Sequence, residues 1–275
     1  MNYRHAYHAG NFADVMKHTA LVAVLLHLRK KEAPFAVIDT HAGRGLYDLS
    51  GEQAEKTGEA KEGIARLGDI PHGQELLTTY LDLARGFGAG RYPGSPLIAA
   101  RLLRPQDRLV AIEKHPEEYE ALATALKPFR KAQAVLGDGY ARLGALLPPP
   151  ERRGIILIDP PFEAADEFAQ IADGFGRALR RFANGIYLIW FPIKTQHDAN
   201  ALSGELLARG ATRLLRLELD VGSRAEGRLG ASGLLVVNPP YGMDGLMRET
   251  FAALATPLGR EGPAKWRVEW LAGEG

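Results

Sequence analysis

The sequence predicts an α/β fold, a mainly parallel seven-stranded sheet covered by helices. Short runs of β-branched and aliphatic residues alternate with longer amphipathic stretches along most of the chain, which is the pattern of strands joined by helical crossovers. Several of the short runs are apolar on successive residues, as in Ile156-Leu157-Ile158, and strands buried on both faces have that composition.

The opening segment, residues 1–31, holds Arg4, Lys17, Arg29, Lys30 and Lys31 against the single acid Asp14, and four of the eight histidines. A helix is predicted over 14–31, where Leu21, Leu25 and Leu28 share one face. Its three terminal cations suit the negative end of a helix dipole. Strands are predicted over 35–39, 108–113, 132–136, 154–159, 186–191, 213–219 and 233–237. The connection between the first two, residues 50–106, far exceeds the dozen or so residues a crossover needs. Within it 51–66, 80–87 and 95–103 read as helices, while 88–96 holds too many Gly and Pro for a regular element. The predicted division is a sheet domain over 1–49 and 107–275 and a helical insertion subdomain over 50–106.

At 275 residues the chain is long enough for one large core or two small ones. With 34 Lys+Arg against 33 Asp+Glu, the net charge of +1 argues against a strongly basic, nucleic-acid-coating surface. The absence of cysteine excludes disulfide frameworks, thiolate zinc sites and cysteine nucleophiles. The longest apolar stretches, 20–26 and 186–193, fall well short of the ~20 residues a membrane span requires. Asp14 before the first apolar run and Arg29-Lys30-Lys31 after it do not resemble a signal peptide, so a cytoplasmic location is expected.

Chemistry is concentrated at the ends of the predicted strands. Val37-Ile38-Asp39-Thr40-His41-Ala42-Gly43-Arg44-Gly45 delivers an acid and then two glycines that let backbone approach a ligand, at the edge where open α/β sheets bind ligands. No third glycine completes a dinucleotide fingerprint. The second strand ends in Glu113, whose two oxygens match the vicinal hydroxyls of a ribose. Gly137-Asp138-Gly139 follows the third strand and offers an acid near an adenine amino group. After the fourth strand, Asp159-Pro160-Pro161-Phe162 combines a carboxylate, a rigid backbone with free carbonyls and an aromatic ring, a seat for an exocyclic amino group. Asn238-Pro239-Pro240-Tyr241 repeats that form after the last strand. Asp159 is preferred, and Asn238 to Tyr241 is expected to close the sheet or line the rim of the cleft. His5, His8 and His18 are irregularly spaced and lack a carboxylate or thiolate partner, so no metal is expected.

In this order the motifs resemble class I S-adenosylmethionine-dependent methyltransferases acting on adenine or other amino nitrogens, whose fold is Rossmann-like. With the opening Asn2 to His18 and Tyr92-Pro93-Gly94-Ser95-Pro96, the chain is similar to the bacterial 23S ribosomal RNA adenine-N6 methyltransferase family of the RlmJ type. The resemblance implies S-adenosyl-L-methionine as cofactor, contacted by His18, His41, Gly43, Ser95, Glu113, Asp138, Gly139 and Asp159. It implies Asp159, with Pro160 and Phe162, as the catalytic group, and Tyr3, His5, Lys17 and Phe162 near the substrate. The implied substrate is 23S rRNA, naked or partly assembled, with the adenine at position 2030 as acceptor and no obligate protein partner or membrane; a monomer is expected.

Transfer to the adenine amine requires the base to leave its stack. Lys17, Arg29, Lys30, Lys31, Arg91, Arg101 and Arg104 are the candidate phosphate contacts. Two other readings share parts of the pattern: a DNA adenine or protein glutamine N-methyltransferase, and a noncatalytic nucleotide-binding adaptor.

Overall fold

A computed structural model of the chain describes residues 7–51, 57–68, 74–222 and 229–273. The strands are β1 (Ala36–Asp39), β2 (Leu46–Asp48), β3 (Arg91–Pro93), β4 (Arg108–Glu113), β5 (Ala132–Leu136), β6 (Gly154–Ile158), β7 (Ile186–Pro192), β8 (Leu214–Asp220), β9 (Ala231–Val237) and β10 (Lys265–Ala272). The helices are α1 (Phe12–Arg29), α2 (Glu59–Glu62), α3 (Glu75–Arg85), α4 (Ser95–Leu102), α5 (Pro116–Leu126), α6 (Gly139–Leu146), α7 (Glu167–Arg181), α8 (Gln196–Ala208) and α9 (Met243–Leu258).

One sheet has the order β10-β8-β9-β7-β6-β1-β4-β5, and β2 pairs with β3 separately. β5, β4, β1, β6 and β7 are mutually parallel, whereas β9 is antiparallel to both β7 and β8. All seven predicted strands are present, within two residues at each end. The sheet nevertheless has eight strands, because β10 adds antiparallel to β8. β10 escaped the sequence reading because it has no continuous apolar run: Lys265, Arg267 and Glu269 alternate with apolar residues, as on a half-solvated edge strand. Its charges pair across the ladder, Arg267 with Glu218 at 3.6 Å and Glu269 with Arg216 at 3.4 Å.

Strand alternation sends Val37, Leu109, Leu157 and Leu188 into the core beneath α1, and Ile38, Val110, Ile156 and Ile189 into the core beneath α7 and α8. Each fully buried aliphatic side chain contributes roughly 1.5–3 kcal/mol. α1 starts at Phe12 because Asn11 caps it, its side-chain oxygen accepting the Asp14 N–H at 3.0 Å. The helix is buried almost all round, packed against α3, α4 and α9, so it is a core element rather than a surface one.

Two expectations in the long connection are corrected. The 88–96 stretch is not irregular throughout. Arg91-Tyr92-Pro93 forms β3 against β2, with Tyr92 buried, and α4 begins at Ser95 with Pro96 in its first turn. The 51–66 helix is interrupted at Gly63, followed by a 3₁₀ turn at Ile64–Arg66. A side chain at Gly63 would lie 2.1 Å from the Gly10 carbonyl oxygen, so close packing against the opening segment selects glycine there. Residues 52–56 of that stretch lie outside the described residues.

Candidate active site

The C-terminal ends of the parallel strands share one edge, and there Asp39, Glu113, Asp138 and Asp159 emerge from β1, β4, β5 and β6. A cleft of about 640 Å³ opens at this edge. Its walls include His18, His41, Gly43, Ser95, Glu113, Asp138, Gly139, Asp159, Pro160, Phe162 and Lys17. The remaining predicted site residues, Tyr3 and His5, lie outside the described residues.

Lys17 is the hub of one wall. Its ammonium donates to Asp159 Oδ2 and lies 2.9 Å from Asp14 Oδ1, with the lysine side chain only 5% exposed. Burial works against the cation, but the charges of Asp14 and Asp159 outweigh it and hold the Lys17 pKa above its ordinary value. The next residue, His18, is buried, with Nδ1 2.7 Å from the Tyr92 hydroxyl, which in turn is 2.9 Å from that of Tyr80.

At the other end, Glu113 accepts the backbone N–H groups of Gly43 at 2.8 Å and His115 at 2.7 Å, and each carboxylate oxygen keeps a further lone pair. Burial raises the Glu113 pKa. Gly43 takes φ +61°, and a Cβ at Gly139 would stand 2.1 Å from the Thr40 carbonyl oxygen, so both positions bring bare backbone to the cleft. Asp138 caps α6 through the Ala141 N–H at 3.1 Å and receives Lys114 Nζ at 3.0 Å. Burial opposes its ionisation, but these bonds lower its pKa. His115 Nδ1 is a buried polar atom with no hydrogen-bond partner among the described residues.

Asp39 is 1% exposed and accepts the Ser95 hydroxyl at 2.6 Å. Burial pushes its pKa up to about 7, with the Asp159 charge adding and the Ser95 hydrogen bond and Lys17 opposing. Beside it, burial holds His41 down at about 4. The Thr40 hydroxyl donates to the Leu157 carbonyl at 2.8 Å and is 2.8 Å from His41 Nδ1. It therefore accepts from Nδ1–H, which leaves Nε2 of the neutral ring as an acceptor.

Phe162 has φ +53° and packs edge-on to Phe168 and Trp190, with ring centroids 5.1 and 5.6 Å away. Trp190 was not a sequence candidate. It sits near the end of β7, anchored by donating Nε1–H to Ser232 Oγ at 2.7 Å, with Lys17 Nζ 5.9 Å from its ring centre. An indole near the C-terminal end of an otherwise aliphatic strand was the available signal. Asp14 was also missed, although its spacing of three from Lys17 and four from His18 puts all three on one helix face. Tyr140 and Glu167, joined at 3.0 Å, complete the wall near His41.

The second Pro-Pro motif is elsewhere. Because β9 runs antiparallel to β7, Val237 pairs with Tyr187 at the start of β7, so Asn238 to Tyr241 lie at the edge opposite the cleft and not on its rim. The Asn238 amide donates to the carbonyls of Ala183 at 2.9 Å and Gly185 at 2.8 Å. Several candidate phosphate contacts are likewise displaced. Arg29 ends α1 at its far end, Lys30 and Lys31 follow it, and Arg104 donates to the carbonyls of Lys31 and Ala33 at that same edge. Arg101 stacks on Phe87 at 4.6 Å, and Lys17 is committed to its two carboxylates.

Comparison with known proteins agrees with this architecture. The family described as "Ribosomal RNA large subunit methyltransferase D, RlmJ" matches residues 32–272. The chain is 39% identical to Ribosomal RNA large subunit methyltransferase J of Haemophilus influenzae over 280 residues, and 39% identical to its Escherichia coli namesake over 279, with 100% of each chain covered. A crystal structure of a Legionella pneumophila protein, 32% identical, superposes with a TM-score of 0.87 over 95% of this chain and 98% of that one. The sheet is that of class I S-adenosylmethionine-dependent methyltransferases. With most of its length matched by the family and its full length by two of its members, the chain belongs to the ribosomal RNA large subunit methyltransferase family of the RlmJ type.

Proposed function

We propose that this chain methylates the exocyclic N6 of an adenine in 23S rRNA, at position 2030 by family resemblance, with S-adenosyl-L-methionine as methyl donor. The observation that carries the reading is the meeting in one cleft of the Asp159-Pro160-Pro161-Phe162 seat with Glu113 at the end of β4 and Asp138 after β5. The site fits the cofactor on its own chemistry. Glu113 has lone pairs for a ribose diol, Gly43 and Gly139 clear its path, His115 Nδ1 is an orphaned polar atom, and the surrounding carboxylates suit a cationic sulfur. His18, His41 and Ser95 would hold the amino-acid end and Asp138 the adenine end. Bound there, the cofactor supplies an electrophilic methyl group that needs neither metal nor thiolate.

The chain's own residues then position the acceptor. Lys17 donates to Asp159 Oδ2 and fixes the carboxylate plane, and the carboxylate accepts one amino hydrogen while the Pro160 carbonyl accepts the other. The two bonds favour a more tetrahedral nitrogen directed at the methyl group, and positioning supplies most of the rate. Phe162 and Trp190 confine the extruded ring. The methylated nitrogen is strongly acidic and sheds its proton readily.

In this reading one chain works alone, and residues 50–106 form an insertion subdomain in a methyltransferase domain made of 1–49 and 107–275. No helix among the described residues is long and apolar enough to cross a membrane, and an rRNA substrate would place the enzyme in the cytoplasm. Incubation with labelled cofactor and 23S rRNA from a strain lacking this modification, with DNA and peptide in parallel, tests the reading. Label mapping to one adenine N6 is expected. Label on DNA or peptide alone would overturn it.

A further inference from the structure

The edge opposite the cleft carries a cluster of cations that the catalytic reading does not use. Backbone and side-chain hydrogen bonds tie its members into one row across the sheet. The Lys131 carbonyl accepts Leu109 N–H at 2.8 Å, Arg108 N–H bonds the Phe35 carbonyl at 3.1 Å, and Ala36 N–H bonds that of Arg153 at 2.9 Å. Farther along, Asn238 spans from the Gly185 carbonyl at 2.8 Å to that of Arg213 at 3.0 Å. Six strand spacings separate β5 from β8, so the row is roughly 30 Å long at about 4.8 Å per strand.

Cations in the last turn of a helix, such as Arg29 and Arg181, are explained by the helix dipole. Arg130, Lys131, Arg152 and Arg213 are not, because they are exposed in connecting loops beyond the helices. Arg104 and Arg108 have Asp107 and Glu151 as partners; those four have no carboxylate partner among the described residues. The cations also crowd one another. Burial and the charges of Lys30, Arg153 and Lys31 hold His27 below the ordinary imidazole range, and Arg153 is lowered by burial and by Arg104. At this same edge stands Tyr241, 95% exposed, just after the Asn238-Pro239-Pro240 turn that bonds the Arg213 carbonyl and that the cleft leaves unused.

We propose that this edge is a second RNA-binding surface, which holds the sugar–phosphate backbone of the substrate remote from the target adenine and stacks an unpaired base on Tyr241. A row of exposed cations interleaved with a free aromatic ring fits a single-stranded polyanion with planar bases. The proposal rests on the chain's being an RNA methyltransferase. It accounts for the acid-rich cleft: the cleft receives one base, and backbone affinity is supplied at the far edge.

The test is binding of protein-free 23S rRNA across a salt series, measured separately from methyl transfer. Arg130→Glu/Lys131→Glu is expected to weaken binding about tenfold and to flatten log K against log salt by about 0.7–0.9 for each phosphate left unneutralised. Tyr241→Ala should weaken binding with little change in slope, and Tyr241→Phe should restore it. Melting temperature, cofactor affinity and kcat at saturating RNA should be unchanged. Lys265→Glu, on β10 away from the row, controls for net charge. Unchanged affinity and slope in the edge variants, or an equal loss per charge in Lys265→Glu, would overturn the surface. A wild-type protein that binds RNA through the row but methylates none would leave the surface standing and remove the activity instead.

Discussion

Lys17 and Asp159, separated by 142 residues, share a hydrogen bond in the wall of the cleft, and the same ammonium reaches Asp14 at 2.9 Å. One cation, 5% exposed, therefore serves two carboxylates, of which Asp14 is 1% and Asp159 14% exposed. Removing one member of such a buried arrangement costs about 3–5 kcal/mol because the remaining charge is stranded. Lys17→Met should lose stability on that scale in urea denaturation, and Asp14→Asn/Lys17→Met should recover part of it. Equal stabilities of wild type and the single variant would mean that the ion pair is not formed in solution.

Asp39 and His41 should give the fold opposing pH dependences. Asp39, raised to about 7 by burial, holds its proton in the folded chain where the unfolded chain has lost it. Its contribution is therefore present at low pH and is lost as pH rises through about 7, a difference on the order of a few kcal/mol. His41, depressed to about 4, contributes stability above the ordinary imidazole range that is lost as pH falls toward 4. Relative to wild type, Asp39→Asn should gain stability between pH 4 and 7.5, and His41→Gln should gain on acidification. Melting curves across that range decide it; parallel curves for all three proteins would contradict both assignments.

The two glycines of the cofactor end should differ in tolerance. Alanine at Gly43 meets the Tyr47 hydroxyl, the far end of a buried side chain rather than backbone, and a φ of +61°, a backbone cost of about 1–2 kcal/mol. Alanine at Gly139 meets the Thr40 backbone, which cannot move without displacing β1. Calorimetric titration should show Gly139→Ala losing cofactor binding outright and Gly43→Ala losing it only in part.

Variants of the two Pro-Pro motifs should separate chemistry from structure. Asp159→Asn is expected to lower methyl transfer by about 10²-fold or more, the scale of a misplaced reacting group. Asn238→Ala frees the Ala183 and Gly185 carbonyls and should cost about 0.5–1.5 kcal/mol of stability with kcat unchanged. Single-turnover assays beside thermal melts would show the crossed pattern. A catalytic defect in Asn238→Ala without destabilisation would contradict the placement of that motif.

The buried strands were legible because burial on both faces forces apolar residues at successive positions, and the acids at their ends were legible because parallel strands deliver them to one edge. β10 was not, since its alternating charges are satisfied by β8, a partner visible only after folding. Asp159 could be named from its neighbours, but its pairing with Lys17 depends on α1 lying across the sheet. The raised pKa of Asp39 likewise comes from burial and from Asp159, neither of which its local sequence encodes. Trp190 was hidden by its type, because a large aromatic in a strand reads as core.

The reversed course of β9 settles the fate of the duplicated tetrapeptide. Travelling with the parallel strands, Asp-Pro-Pro-Phe arrives where four other strand ends gather; travelling against them, Asn-Pro-Pro-Tyr arrives among loops and cations. Writing Asp at position 238 would reproduce the letters of the active motif without giving the chain a second site. In this fold the sense of travel along a strand is itself part of the motif.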